Sequence, residues 1–403
     1  MARTADALVE GSLLEWARKA SGLPLDAAAK KLSVDSSRLA SWEAGASNPT
    51  VAQLRQMAEL YKRPLAIFYL PEPPLDYQPL RDYRQIPEAR LGRLSPRLLT
   101  SIRRAHAVRE AALELREQAE LPVAPAPSVA VRGQDPEDLG AAARELLGVS
   151  LETQFAWTTR AKALNGWIEA VTALDVLVLQ VQAVSRKEMR GFSIAEDRLP
   201  IIVLNGAEFP NARTFTLAHE LAHIILNADG VCDTLPRRRP SSPNDEVEIL
   251  CNQIAAAILM PDQAFRREPL VRAGAVGGVW SDDSLRGLSD RFSVSREAVV
   301  RRLYTLGLAD WDFLQAKIEQ YAREFDAYNK AAKEKRAAQS KPGGPSFYRM
   351  KVRDLGRGFI ESALDAYYRR SITGSELSEY LEIKLNQVSR LEDELASTGG
   401  DRD

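Results

Sequence analysis

Thr216-Leu217-Ala218-His219-Glu220-Leu221-Ala222-His223-Ile224-Ile225-Leu226 decides how this chain is read. The run is apolar and of helical character, and it contains the pattern H-E-x-x-H. Positions i and i+4 share one face of a helix, so His219 and His223 point the same way. Two imidazoles at that spacing suit a tetrahedral zinc ion, and Glu220 is then placed to act as a base on a water molecule. The chain has three histidines, and two of them are here.

A catalytic zinc site takes three protein ligands and keeps one position open. With no other histidine nearby, the third ligand should be a carboxylate. Asp229, Asp233, Asp245, Glu246 and Glu248 follow downstream. Asp229 has the spacing of the extended motif H-E-x-x-H-x-x-G-x-x-H/D, but Leu226 stands at the glycine of that motif. Glu248 opens the helical run EILCNQIAAAILMP, whose small-residue face can pack against the His219 helix. A helix also holds a ligand more rigidly than a loop does. Glu248 is therefore the leading candidate and Asp229 the second. Cys232 and Cys251 lack the spacing of a zinc motif and read as structural thiols.

Outside this stretch, 403 residues point to several domains. Apolar residues at 45% and charged residues at 27% are ordinary for a globular protein. No run is long enough to span a membrane, the N-terminus lacks the apolar core of a secretory signal, and two cysteines make no disulfide framework. These features predict a cytoplasmic protein. The net charge of −1 carries no indication of a nucleic-acid partner, which must come from a local module.

Residues 8–70 read as four short helices: Leu13 to Ala20, Leu25 to Leu32, Ser36 to Ala44 and Val51 to Tyr61. Ser33-Val34-Asp35 is the tight connection between the second and third, and Thr50 caps the fourth. This is the helix-turn-helix arrangement. The helix from Ser36 would enter the major groove with Ser36, Ser37, Arg38 and Ser41 outward and Leu39 and Trp42 inward. Hydroxyls and an arginine can meet phosphates and base edges. The run S-W-E-x-G-x-S-N-P-T, Ser41 to Thr50, resembles the XRE (lambda-repressor-like) family, and that resemblance implies DNA binding.

Residues 71–135 form a basic bridge. Nine Lys/Arg stand against five Asp/Glu in residues 81–118. Leu98, Ile102, Ala105, Val108, Ala112 and Leu115 mark an amphipathic helix that starts after Ser95-Pro96. His106 on it reads as an ordinary surface or interface residue. Leu121 to Ser128 is a proline-rich linker.

Residues 136–310 read as helices Pro136 to Leu147 and Gln154 to Leu174, then strands Val176 to Val181, Met189 to Ile194 and Pro200 to Asn205, then the His219 helix. FTLAHELAHIIL, followed by ExxCNxxAAAILMP, is similar to the ImmA/IrrE family of metallopeptidases. The resemblance implies His219, His223 and Glu248 as zinc ligands and Glu220 as catalytic base. Residues 288–308 and residues around Ile383 share the helix-turn-helix rhythm but no fixed period, so they are not read as a repeat. The first of these is expected to serve packing. Residues 311–396 read as a long charged helix, Trp311 to Ala338, a linker, and three further helices, with a disordered tail from Ser397.

The expected fold class is α+β and mainly helical. It comprises an N-terminal helix-turn-helix bundle, a central zincin-like metallopeptidase domain with a small β-sheet, and a C-terminal helical region. By resemblance, the expected function is a DNA-binding regulator whose zinc endopeptidase cleaves a repressor or antitoxin in a stress, phage or mobile-element response. Homodimerisation is a further possibility, and no membrane partner is expected. The alternative is a non-proteolytic transcription regulator that uses the peptidase fold as a sensor or dimerisation module.

Overall fold

The computed structural model describes residues 6–61, 63–72, 94–129, 135–182, 184–186, 188–226, 230–232, 243–277, 280–338 and 346–399. Residues 73–93 of the basic bridge, the linker at 339–345 and the tail from 400 lie outside the described residues. The fold is mainly helical with one small sheet, as expected. Packing divides the chain into two units, residues 1–107 and 108–403. Among the described residues, no helix is long and apolar enough to cross a membrane.

The first unit is built on α1 (Gly11–Ala20), α2 (Leu25–Leu32), α3 (Ser36–Glu43) and α4 (Val51–Tyr61). Leu13, Leu14, Ala17, Leu39, Trp42, Leu54, Met57 and Tyr61 form its core, so Leu39 and Trp42 do face inward. The sequence S-W-E-x-G now has a physical account. Trp42 fills the core, and both carboxylate oxygens of Glu43 accept from Arg18 at 2.7 Å, which clamps α3 to α1. Gly45 takes a φ of +70°, which a side chain would strain. Thr50 and Gln53 cap α4 reciprocally: the Thr50 amide donates to Gln53 Oε1 at 2.9 Å, and the Gln53 amide donates to Thr50 Oγ1 at 3.3 Å. Helix α5 (Pro96–Gln118) begins with proline in its first turn, as its sequence predicts.

In the second unit, α6 (Pro136–Leu147) is capped by Asp135 and stopped by Gly148 at a φ of +63°. The single helix expected over Gln154 to Leu174 is instead two, α7 (Leu151–Ala156) and α8 (Arg160–Thr172). The Thr159 hydroxyl accepts from the Lys162 amide and starts α8 afresh. At the break, Trp157 lies edge-on to Trp167, over Gly166. Hydrophobic periodicity runs through this junction, so it hides the break.

The sheet has the order β1-β3-β2-β4. Strands β1 (Leu177–Val181) and β3 (Ile201–Asn205) are parallel, and β2 (Gly191–Ile194) runs antiparallel to β3 and to β4 (Gly230–Cys232). Side chains on both faces of β2 and β3 are buried, so helices or loops cover both sides. Helix α9 (Pro210–Ile225) lies against β2 and is buried along its length from Thr216 to Ile225. Gly191 permits this approach: a Cβ there would come within 2.5 Å of Thr216 Cγ2.

Helix α10 (Pro243–Leu259) carries Cys251, Ile254, Ala255 and Ile258 as a fully buried stripe at helical spacing. Gly140 on α6 abuts its Ala257. Helices α11 (Asp262–Arg267) and α12 (Pro269–Gly277), absent from the sequence reading, lead to α13 (Asp282–Phe292) and α14 (Arg296–Thr305). Arg302 of α14 is only 2% exposed. Its guanidinium forks onto Glu137 and donates through Nε to the Met260 carbonyl at 2.9 Å.

Helix α15 (Trp311–Ala338) has the predicted bounds. Four α-helices follow where three were expected: α16 (Phe347–Leu355), α17 (Arg357–Tyr368), α18 (Gly374–Leu381) and α19 (Val388–Gly399). Gly356, at a φ of +78°, divides the first pair. Residues 397–399, expected to belong to a disordered tail, are instead part of α19.

Candidate metal centre

The H-E-x-x-H stretch folds as α9. Proline at its first turn and the apolar residues Leu217, Leu221, Ile224 and Ile225 set its place in the core. Its polar groups therefore need partners inside the protein. His219, Glu220 and His223 are 3%, 0% and 2% exposed.

The two imidazoles converge, with Nε2 atoms 3.1 Å apart. Glu248, one turn into α10, faces both: Oε2 is 3.4 Å from His219 Nε2, and Oε1 is 3.4 Å from His223 Nε2. Among the described residues, these three form a group whose potential ligand atoms lie within 4.8 Å of one another. Donors about 2.0–2.1 Å from a tetrahedral zinc are separated by roughly 3.3–3.4 Å. The two 3.4 Å spacings match that edge and the 3.1 Å spacing falls just short of it; two imidazoles with one carboxylate are a donor set that zinc accepts, so the residues fit the ion. Of the other acids considered, Asp229 and Asp233 lie outside the described residues, as does the side chain of Asp245. Glu246 is exposed on α10 and does not join the group.

Glu220 occupies a different position. Ser193 of β2 donates to its Oε2 at 2.9 Å, while the buried Oε1 has no hydrogen-bond partner among the described residues. Burial pushes the Glu220 carboxyl above its ordinary value, opposed by His219, His223 and the Ser193 hydroxyl. A raised carboxyl pKa is the direction a general base near neutrality needs. For Glu248, burial acts upward, but the two imidazoles outweigh it and hold the carboxylate below the usual range. Burial acts downward on His223, and Cys251 and Glu248 outweigh it. The Asn252 side chain donates to the Glu248 carbonyl at 2.8 Å, within the first turns of α10.

Sequence reasoning did not find Ser193 or Gly191. Their signal was the short strand Gly191-Phe192-Ser193-Ile194, where alternation puts the two small residues on one face. That face is turned to α9: a Cβ at Gly191 would lie 3.2 Å from Glu220 Oε1. Cys251 is fully buried, as a structural thiol should be, and it also lies beside His223. The Cys232 side chain lies outside the described residues.

The four residues expected to face DNA lie on α3. Ser37 and Arg38 are exposed, and Ser36 and Ser41 are half-buried. Ser36 Oγ donates to Asp26 at 2.6 Å, Ser41 shares a hydrogen bond with Ser47 at 2.8 Å, and the Arg38 guanidinium sits over the Trp42 ring. His106 is half-buried on α5.

Comparison with known proteins matches two segments of the chain. Residues 14–68 match a helix-turn-helix family. Residues 175–304 match a peptidase family described as the IrrE N-terminal-like domain. The radiation response metalloprotease IrrE of Deinococcus radiodurans is 35% identical over 105 residues, which is 26% of this chain. The match spans 30% of the length of that curated relative. A transcriptional regulator of Mycobacterium tuberculosis aligns over 49% of this chain and 51% of its own, at 16% identity and a TM-score of 0.26, too low to carry a statement about fold.

Proposed function

For a chain that joins a helix-turn-helix segment of the XRE type to an ImmA/IrrE-like metallopeptidase domain, we propose a DNA-binding transcriptional regulator that carries a zinc-dependent endopeptidase. The observation that carries this reading is the convergence of His219, His223 and Glu248, with Glu220 buried beside them on α9. The assigned substrate is a protein of the repressor or antitoxin kind, cleaved in a stress, phage or mobile-element response. The similarity to the radiation response metalloprotease of Deinococcus radiodurans supports the stress context. The DNA partner supports a cytoplasmic setting, and a homodimer would suit an operator with two half-sites. The domain limits 8–70, 71–135, 136–310 and 311–396 belong to this reading.

His219, His223 and Glu248 would hold the zinc, which supplies Lewis-acid polarisation of the scissile carbonyl and an acidified water. The chain's own residues do the rest. Glu220 accepts the proton of the attacking water and returns it to the leaving amine. Ser193 fixes the orientation of that carboxylate through Oε2, which leaves Oε1 free to receive the proton. The apolar surroundings of α9 exclude bulk water and so strengthen these interactions.

The purified protein is expected to hold about one zinc per chain. Glu220→Gln should retain the zinc and lose proteolysis, and the protein that accumulates intact in cells carrying Glu220→Gln identifies the substrate. Identical cellular output from the mutant and wild type would sink the enzyme reading. For the DNA-reading helix, Ser37→Ala with Arg38→Ala should weaken operator binding, and unchanged binding would remove α3 as the reader.

A further inference from the structure

The chain makes the same turn between two helices in three places. Ser33, Ser293 and Glu382 follow α2, α13 and α18 in the left-handed conformation, with φ of 56°, 54° and 50°. Their amides donate three residues back, to the carbonyls of Lys30, Asp290 and Glu379, at 3.3, 3.3 and 3.2 Å. The next amides, of Val34, Val294 and Ile383, donate five residues back, to Ala29, Ser289 and Ser378, at 3.0, 3.0 and 3.2 Å. Five residues beyond each of these apolar positions stands a buried apolar side chain: Leu39, Val299 and Val388. The first copy lies inside the segment that matches the helix-turn-helix family.

What differs is the outer face of the second helix. On α14 its charges are used internally. Arg296 pairs with Glu324 and covers the Tyr321 ring, Arg301 pairs with Glu297, and Arg302 is buried on Glu137. That copy serves packing. On α19 and the short 3₁₀ turn that leads into it, Leu385–Gln387, the face stays open. Lys384, Asn386, Ser389 and Arg390 are exposed, and among the described residues Asn386, Ser389 and Arg390 make no side-chain hydrogen bond or ion pair. Nearby acids are engaged within the unit: Glu382 with Lys351, Glu392 with the Tyr368 hydroxyl and Glu394 with the Ser346 hydroxyl, each at 2.7 Å. Asp393 is an exposed acid one turn further along.

We propose that residues 346–399 form a second duplex-DNA-binding module, with the helix that follows Lys384 entering the major groove. Asn386 and Arg390 have the chemistry of that groove, an amide for adenine and a guanidinium fork for guanine. Lys384 stands where it can meet a phosphate, and Ser389 can meet either a phosphate or a base edge. The residues at this face are richer in such groups than those of α3, where Ser36 and Ser41 are hydrogen-bonded within the protein and Arg38 lies over the Trp42 ring.

The test uses the full chain with a mixed-sequence duplex and with a random duplex pool for selection. Asn386→Ala with Arg390→Ala should lower duplex affinity about tenfold and change the selected sequence, and Lys384→Ala should reduce the salt dependence by about one ion. These residues are exposed, so thermal melting should be unchanged. A triple variant at Lys384, Asn386 and Arg390 that binds and selects like wild type overturns the proposal. So does complete loss of duplex binding on Ser37→Ala with Arg38→Ala alone, because the N-terminal reader then accounts for all of it. Retained but altered binding in that N-terminal variant supports two independent modules.

Discussion

Ser193 on β2 donates its hydroxyl proton to Glu220 Oε2 on α9 at 2.9 Å, and both side chains are buried. The bond joins the sheet to α9 at the carboxylate proposed as the base. It holds one oxygen and leaves the other without a protein partner.

Ser193→Ala removes that bond without touching the three proposed metal ligands. A hydrogen bond to a charged group is worth about 1.5–3 kcal/mol. Cleavage should slow at least tenfold while zinc content stays at the wild-type level, and Ser193→Thr should recover part of the rate. Loss of zinc together with activity would show that Ser193 only supports the fold.

Asp175 gives a stability prediction with a defined pH dependence. Its carboxylate accepts from Arg116 at 2.6 Å and from the Ala124 amide at 3.0 Å, which ties α5 and the proline-rich linker to the turn before β1. Burial acts upward on its pKa, but Arg116 and the amide hold it below the usual aspartate range. A depressed carboxylate pKa adds stability above the unfolded value, near 3.9, and that stability is lost as pH falls through the folded value. Asp175→Asn should therefore cost about 1 kcal/mol at neutral pH, and the gap to wild type should close under acid. Urea denaturation at pH 7 and below pH 4 measures it, and a gap that widens in acid contradicts the assignment.

Arg302 and Glu137 should respond unequally to mutation. Arg302 is almost fully buried, whereas the Glu137 side chain is 37% exposed. Glu137→Ala strands a buried guanidinium and should cost about 3 kcal/mol. Arg302→Met leaves a carboxylate that water can reach and an apolar side chain in an apolar site, and it should cost less. Chemical denaturation of the two variants settles the order, and equal losses would refute the burial argument.

Much of this protein follows from local chemistry. The i, i+4 spacing of His219 and His223 brings their Nε2 atoms together wherever that stretch forms a helix, because 3.6 residues make a turn. The bounds of α2, α4, α6 and α15 follow from caps, prolines, glycines and apolar periodicity, all of which act within a few residues. The left-handed turns at Ser33 and Ser293 announce themselves through the short run between two apolar stripes. Residues 216–226 thus bring two of the three proposed ligands and the proposed base onto one helix.

Tertiary structure decided what depends on distance along the chain. Glu248 lies 25 residues beyond His223, and only the packing of α10 on α9 brings its two oxygens within 3.4 Å of both imidazoles. Ser193 meets Glu220 because the pairing of β2 with β3 sets which face of a four-residue strand points at α9. The junction at Trp157 was hidden because apolar periodicity continues across it, and a threonine cap and an aromatic pair made the break. The two later helix-turn-helix-like stretches look alike as sequence, yet one has its arginines paired with Glu297 on the same helix and with Glu324 and Glu137 on others, while the other leaves its amide and guanidinium exposed. A sequence lists the charged groups, but only the folded chain determines which of them are already paired.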